Sequence, residues 1–159
     1  MLKKSMAFLL IILTLAVITL TGCDKPEEEV KVPKGHLQGT ITYENVDPDG
    51  AAGYANHAQV TMSGTGLPVR SAYTDVNGQY LISDVLVGSY DVIANFATAT
   101  NIASMDFPYG IYWGQYSLND AEKQYCDLTG PYPNLSLSLG NVVIADDTTT
   151  TLDFFLYGY

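Results

Sequence analysis

The chain has 159 residues, 47% of them hydrophobic, and a net charge of −10 from seven basic and 17 acidic side chains. That length suits one domain and the apolar share is ample for a core. The acidic balance excludes a nucleic-acid binder, which draws on Lys and Arg to neutralise phosphate, and disfavours adsorption to anionic lipid.

The first element is an export signal. Lys3 and Lys4 form a basic start, Ala7 to Leu20 is an uncharged 14-residue apolar run, and Leu20-Thr21-Gly22-Cys23 closes it. The run is shorter than the about 20 residues a spanning helix needs. Small residues before a cysteine at this distance resemble the lipobox of bacterial lipoproteins. The resemblance implies cleavage of residues 1–22, a diacylglycerol (palmitate-type) thioether on Cys23 and acylation of the new amine. One acyl chain binds membranes marginally, at about 0.8 kcal/mol per buried CH₂, whereas two or three hold stably. The partner implied is therefore a membrane, reached through the lipid on Cys23. Residues 23–35 follow as a lipidated cysteine and an acidic, proline-containing tether without apolar period. Glu27-Glu28-Glu29 resembles the surface-export signal of one group of lipoproteins, and Asp24 the inner-membrane retention signal of another. The expected location is the cell envelope, outer membrane rather than inner, facing outward.

From His36 to Tyr159 the apolar period is two, the strand signal. Leu37, Gly39, Ile41 and Tyr43 alternate with polar residues. So do Ala58, Val60 and Met62, then Tyr80 and Ile82, then Tyr90, Val92 and Ala94. Leu152, Phe154 and Leu156 close the chain, with Thr151, Asp153 and Phe155 on the opposite side. Turn residues punctuate these runs at Asp47–Gly50, Gly64–Pro68, Asp75–Gly78 and Val87–Ser89. Gly78, together with Asn77, suits positive φ. The pattern predicts an all-β fold, an antiparallel Greek-key sandwich of about seven strands.

Residues 97–135 break the rhythm and form a long insert before the last two strands. A structureless loop of that length is uncommon, so the insert needs structure of its own. Asn119 to Cys126 reads as a short helix, with Asn119 as cap and Glu122 completing a capping box. The insert holds Phe107, Tyr109, Tyr112, Trp113, Tyr116, Tyr125 and Tyr132, including the chain's only Trp. Two readings stay open. Tyr109, Tyr112, Trp113 and Tyr116 either stack on sugar rings or pack the insert onto the domain. With Cys23 lipidated, Cys126 has no partner and reads as a small buried residue.

Gly39-Thr40-Ile41-Thr42, Ala55 to Val60, Thr74-Asp75-Val76-Asn77-Gly78-Gln79-Tyr80, Val85 to Val92 and Thr150 to Leu156 together resemble the carboxypeptidase regulatory-like domain. That resemblance implies a prealbumin-like (transthyretin-like) sandwich and leaves the insert without counterpart. Asp75, Gly78, Tyr80, Gly88 and Tyr90 carry the motif, and each has a folding role. The glycines make turns, and the tyrosines bury rings whose hydroxyls need partners.

Chemistry is thinly supplied. His36 and His57 are the only histidines, and HExxH, CxxC, Gly-x-Ser-x-Gly and phosphate-loop patterns are absent. The strand at Ile93-Ala94-Asn95 lacks the acid that helps form isopeptide bonds in related adhesin domains. Asp47, Asp49, Asp75, Asn77, Asp146 and Asp147 lie in turns, where their oxygens serve turn geometry sooner than calcium. The expectation is a non-enzymatic chain with no cofactor and no metal, acting as a membrane-anchored binding or accessory module. Its partner is a glycan, held by the aromatic insert, or an envelope protein. A structural subunit that assembles through a strand edge is the other alternative.

Overall fold

The computed structural model describes residues 30–46, 52–100, 112–130 and 135–158. Cys23, the apolar run before it, Asp47, Asp49, Phe107, Tyr109 and Tyr132 lie outside the described residues. The chain divides into two compact units, Met1–Lys31 and Val32–Tyr159, and the second carries ten strands among its described residues. They are β1 (Lys34–Asn45), β2 (Ala52–Tyr54), β3 (Gln59–Ser63), β4 (Arg70–Tyr73), β5 (Gln79–Leu86), β6 (Gly88–Asn95), β7 (Tyr112–Leu118), β8 (Gln124–Thr129), β9 (Ser136–Ile144) and β10 (Thr149–Gly158). The fold is all-β, as its alternation predicts. β1 opens at Lys34, inside the segment read as tether.

The sheet is mixed where a purely antiparallel one was expected. β1 and β10 run parallel, with Gln38 opposite Thr151 and Thr42 opposite Phe155. On its other edge β1 pairs antiparallel with β5 through its first half and with β2 near its end. From β10 the order continues through β7, β8, β9, β6 and β3 to β4, every step antiparallel. β8 joins the two arms of this curled sheet. Gln124 to Cys126 pair with β7, and Asp127 to Thr129 pair with β9. The three strands beyond the expected seven are explained in part by the insert, which supplies β7 and β8.

The expected helix over Asn119–Cys126 is not formed. Asn119 and Asp120 both have positive φ, at 51° and 60°, and Ala121 N–H donates to the Leu118 carbonyl at 3.1 Å. Two consecutive left-handed residues make a primed hairpin turn, which no helix tolerates. Asn119 is bound to β10 instead. Its N–H donates to the Thr151 carbonyl at 2.8 Å and its Oδ1 accepts from Thr151 N–H at 3.0 Å. The short polar side chain that suits a helix cap also suits a left-handed turn, and the neighbouring strand decides between them.

The core is one cluster from both arms, built on the inward positions: Leu37 and Ile41, Val60 and Met62, Tyr90 and Val92, Leu152, Phe154 and Leu156. Full burial of each such side chain is worth about 1.5–3 kcal/mol. The motif residues hold the turns around it. Asp75 Oδ1 accepts from Asn77 N–H at 2.8 Å and Gln79 N–H at 2.9 Å. Gly78 has φ +69°, while Asn77 stays at negative φ, so only the glycine carries the left-handed position. The Tyr80 hydroxyl donates to the Leu152 carbonyl at 2.6 Å, and the Tyr90 hydroxyl to the Leu86 carbonyl at 2.8 Å. A side chain at Gly88 would press on Leu67 Cδ1 at 2.6 Å. Among the described residues no buried side-chain polar atom lacks a partner.

Candidate functional site

The insert meets the domain through β7, antiparallel to β10, with Tyr116 opposite Phe154, Gly114 opposite Leu156 and Trp113 opposite Tyr157. Alternation then sorts the rings. Even-numbered β7 residues face inward with the core side of β10. Tyr112, Tyr116 and Leu118, with Cys126 and Leu128 of β8, pack against the core. Gly114 is where β7 approaches β9. A Cβ there would run into Leu137 Cδ2 and stand 3.1 Å from Cys126 Sγ. The Tyr116 hydroxyl donates to Gln124 Oε1 at 2.7 Å. Of the four rings expected to act together, Tyr112 and Tyr116 thus belong to the inner face, Trp113 to the outer one, and Tyr109 is outside the described residues.

Trp113 finds other company. Its ring stacks on Tyr157, with centroids 5.4 Å apart and planes within 13°. Tyr157 shares the outward side of β10 with Phe155, and Lys123 reaches over both from the turn after β7. Its Nζ lies 3.7 Å from the Phe155 centroid, 5.7 Å from that of Tyr157, and donates to the Tyr157 hydroxyl at 3.0 Å. Such a cation–π contact is worth about 0.5–1 kcal/mol at an exposed site. Tyr54 of β2, half exposed, forms the opposite wall. Between these walls runs an open groove of about 340 Å³, with Thr42, Glu44, Phe155 and Tyr157 along it. Tyr125, strongly exposed, stands opposite Gln115 on the same side.

A second open groove, of about 500 Å³, adjoins the other end of the same strands. Gln38, Thr40, Tyr73, Asp75, Gln79 and Asp153 line it, with Thr151 beside Gln38. Asp153 Oδ1 accepts from Thr40 N–H at 2.6 Å. Partial burial raises the Asp153 carboxyl above the usual range; the Thr40 hydrogen bond opposes the rise and the charge of Asp120 adds to it. Beneath it Tyr80 is buried, and desolvation together with the Asp153 charge pushes its phenol far above the ordinary value. Tyr80 is therefore a fixed hydrogen-bond donor.

Phe155, Tyr157, Tyr54 and Lys123 were missed as site residues. The signal was present in the last strand. Once Leu152, Phe154 and Leu156 take the inner face, Phe155 and Tyr157 must point outward, where polar residues are expected. The turn acids do local work. Asp146 Oδ1 accepts from Lys34 N–H at 3.0 Å, and Asp75 holds its own turn. Among the described residues no group of three His, Cys, Asp or Glu side chains is placed to hold a metal ion. His57 has φ 64° and stacks on Tyr73, centroids 4.5 Å apart. Cys126 is half-buried, and burial first, then the Asp127 charge, pushes its thiol up to about 11.

No protein-family model matches the chain, and no curated protein matches it. Among solved structures it is similar to a candidate carbohydrate-binding protein from Pseudomonas aeruginosa, with a TM-score of 0.40 and 12% identity over 77% of this chain and 89% of that one. A likeness of that degree carries nothing about ligand, and the site stands on its own geometry.

Proposed function

We propose that the chain is a lipid-anchored, non-catalytic module of the cell envelope that binds carbohydrate on the outward face of β1, β10 and β7. One observation carries this reading. The packing of the insert onto the domain is done by the inner face of β7 and β8, through Tyr112, Tyr116, Leu118, Cys126 and Leu128. Trp113, Phe155 and Tyr157 are on the other face and lie outside the buried core; Phe155 and Tyr157 line an open groove with Tyr54, and Trp113 stacks on Tyr157. A solvent face of a sheet is ordinarily polar. Sugar rings present apolar C–H faces that stack on such aromatics, and their hydroxyls need donors and acceptors, which Glu44, Lys123 and Thr42 supply.

Cys23 and residues 24–33 complete the reading as anchor and spacer, placing the domain outside the outer membrane. The test is retention of the full chain, in detergent micelles, on a broad array of glycans, with Trp113→Ala and Tyr157→Ala alongside. The expected result is binding to at least one glycan class and a loss of about tenfold or more in each variant, about 1.4 kcal/mol. An array without signal, or variants that bind like the wild type, overturns the reading.

A further inference from the structure

The two grooves are parts of one strip. The outward residues of β1 run Gln38, Thr40, Thr42, Glu44, and those of β10 run Thr151, Asp153, Phe155, Tyr157, in parallel register with Gln38 beside Thr151 and Thr42 beside Phe155. The larger groove ends on Thr40 and Asp153, and the smaller begins on Thr42 and Phe155, the next outward residue on each strand. β5 walls the first and β2 the second, both paired to the same edge of β1. From Gln38 to Glu44 the strip is about 20 Å long at a rise of about 3.3 Å per residue, room for about four linked sugar rings. Its two ends differ in chemistry. The Glu44 end is mainly aromatic, while the Gln38 end offers amides, hydroxyls and the carboxylates of Asp75 and Asp153, with Tyr73 as its exposed ring. Among the described residues Lys123 is the one cation lining either groove; Glu44 stands at one end of the strip, Asp153 near its middle and Asp75 on the wall of the larger groove.

Resting on the carbohydrate reading above, we infer that the ligand is an extended neutral polysaccharide chain laid along β1 and β10, not a chain end or a single sugar. The aromatic end stacks one or two rings, and the Gln38 end hydrogen-bonds the hydroxyls of the following ones. Carboxylate-bearing chains are disfavoured, because Asp75 and Asp153 in the larger groove and Glu44 in the smaller one meet them.

The test is a chain-length series on the full protein in micelles. The probes are neutral gluco-, xylo- and manno-oligosaccharides of two to six units, with galacturonate oligosaccharides as the acidic comparison. The affinity for the neutral series that binds is expected to rise at least tenfold between two and four or five units and then level off. Gln38→Ala combined with Gln79→Ala changes two exposed side chains. It is expected to cancel that rise while leaving the thermal unfolding midpoint unchanged. Equal affinity for dimer and hexamer, or tighter binding of the acidic series, overturns this inference while leaving carbohydrate binding in place. Absence of binding by every series overturns both.

Discussion

Single residues show how environment redirects ordinary chemistry. Cys126 has the composition of a reactive lone thiol, yet burial and Asp127 push its pKa up to about 11. Thiolate is the reactive form, so alkylation of the folded chain at neutral pH should run about a hundredfold slower than that of a free cysteine near pKa 8.5. It should speed up on unfolding; labelling as fast as free cysteine in the folded chain would contradict the placement. Asp153 goes the same way for a different reason, since its desolvated carboxylate is destabilised in the native state. Its folded pKa lies above its unfolded one, so its contribution to stability is fully present below the unfolded value and is lost as pH rises through the folded one. Asp153→Asn keeps an oxygen for Thr40 N–H and removes the charge. The variant should melt above the wild type at neutral pH, and the difference should shrink as pH falls through the carboxylate range. A variant that melts lower at neutral pH would contradict the sign. Neither environment could be read from the chain, because Thr40 and Asp120 come to Asp153 only through strand pairing.

Elements with one buried face were legible, and elements with rings on both faces were not. β1, β5, β6 and β10 alternate because one side is core, and their inward residues are those the period picks out. Tyr112-Trp113-Gly114-Gln115-Tyr116 hides its period, since aromatic residues fall on both sides and a glycine stands where the core comes closest. Gly114 is inward because Leu137 and Cys126 already fill the space a side chain would need. Gly114→Ala should therefore cost about 1–3 kcal/mol, the usual range for overpacking. Chemical denaturation would measure it, and Gly114→Ala should cost less in a Leu137→Ala background than in the wild type. A neutral Gly114→Ala would mean that β7 sits farther from β9 than described. The helix expected at Asn119 failed for a related reason. Asn and Asp serve helix caps and left-handed turns alike, and Thr151, distant in sequence, settles which one forms.

At the scale of the molecule, the strand-rich class and the position of the insert followed from pattern, whereas the parallel pairing of β1 with β10 did not. That pairing brings the first and last strands side by side and makes their outward residues one strip. The pairing of β7 with β10 brings Trp113 to Tyr157, a contact that no local window contains. The proposed anchor belongs to this scale as well. Cys23→Ser should release the chain from the membrane fraction, and a variant that still sediments with membranes would contradict a lipid tether. Trp113 is the only tryptophan, so emission excited at the red edge of the absorption band, where the 12 tyrosines do not absorb, reports on the platform alone. Titration of the full chain with neutral oligosaccharides should give a saturable change in Trp113 emission, with a midpoint that falls as the sugar lengthens. A glycan that binds the chain by calorimetry yet leaves that emission unmoved would contradict binding on the strip.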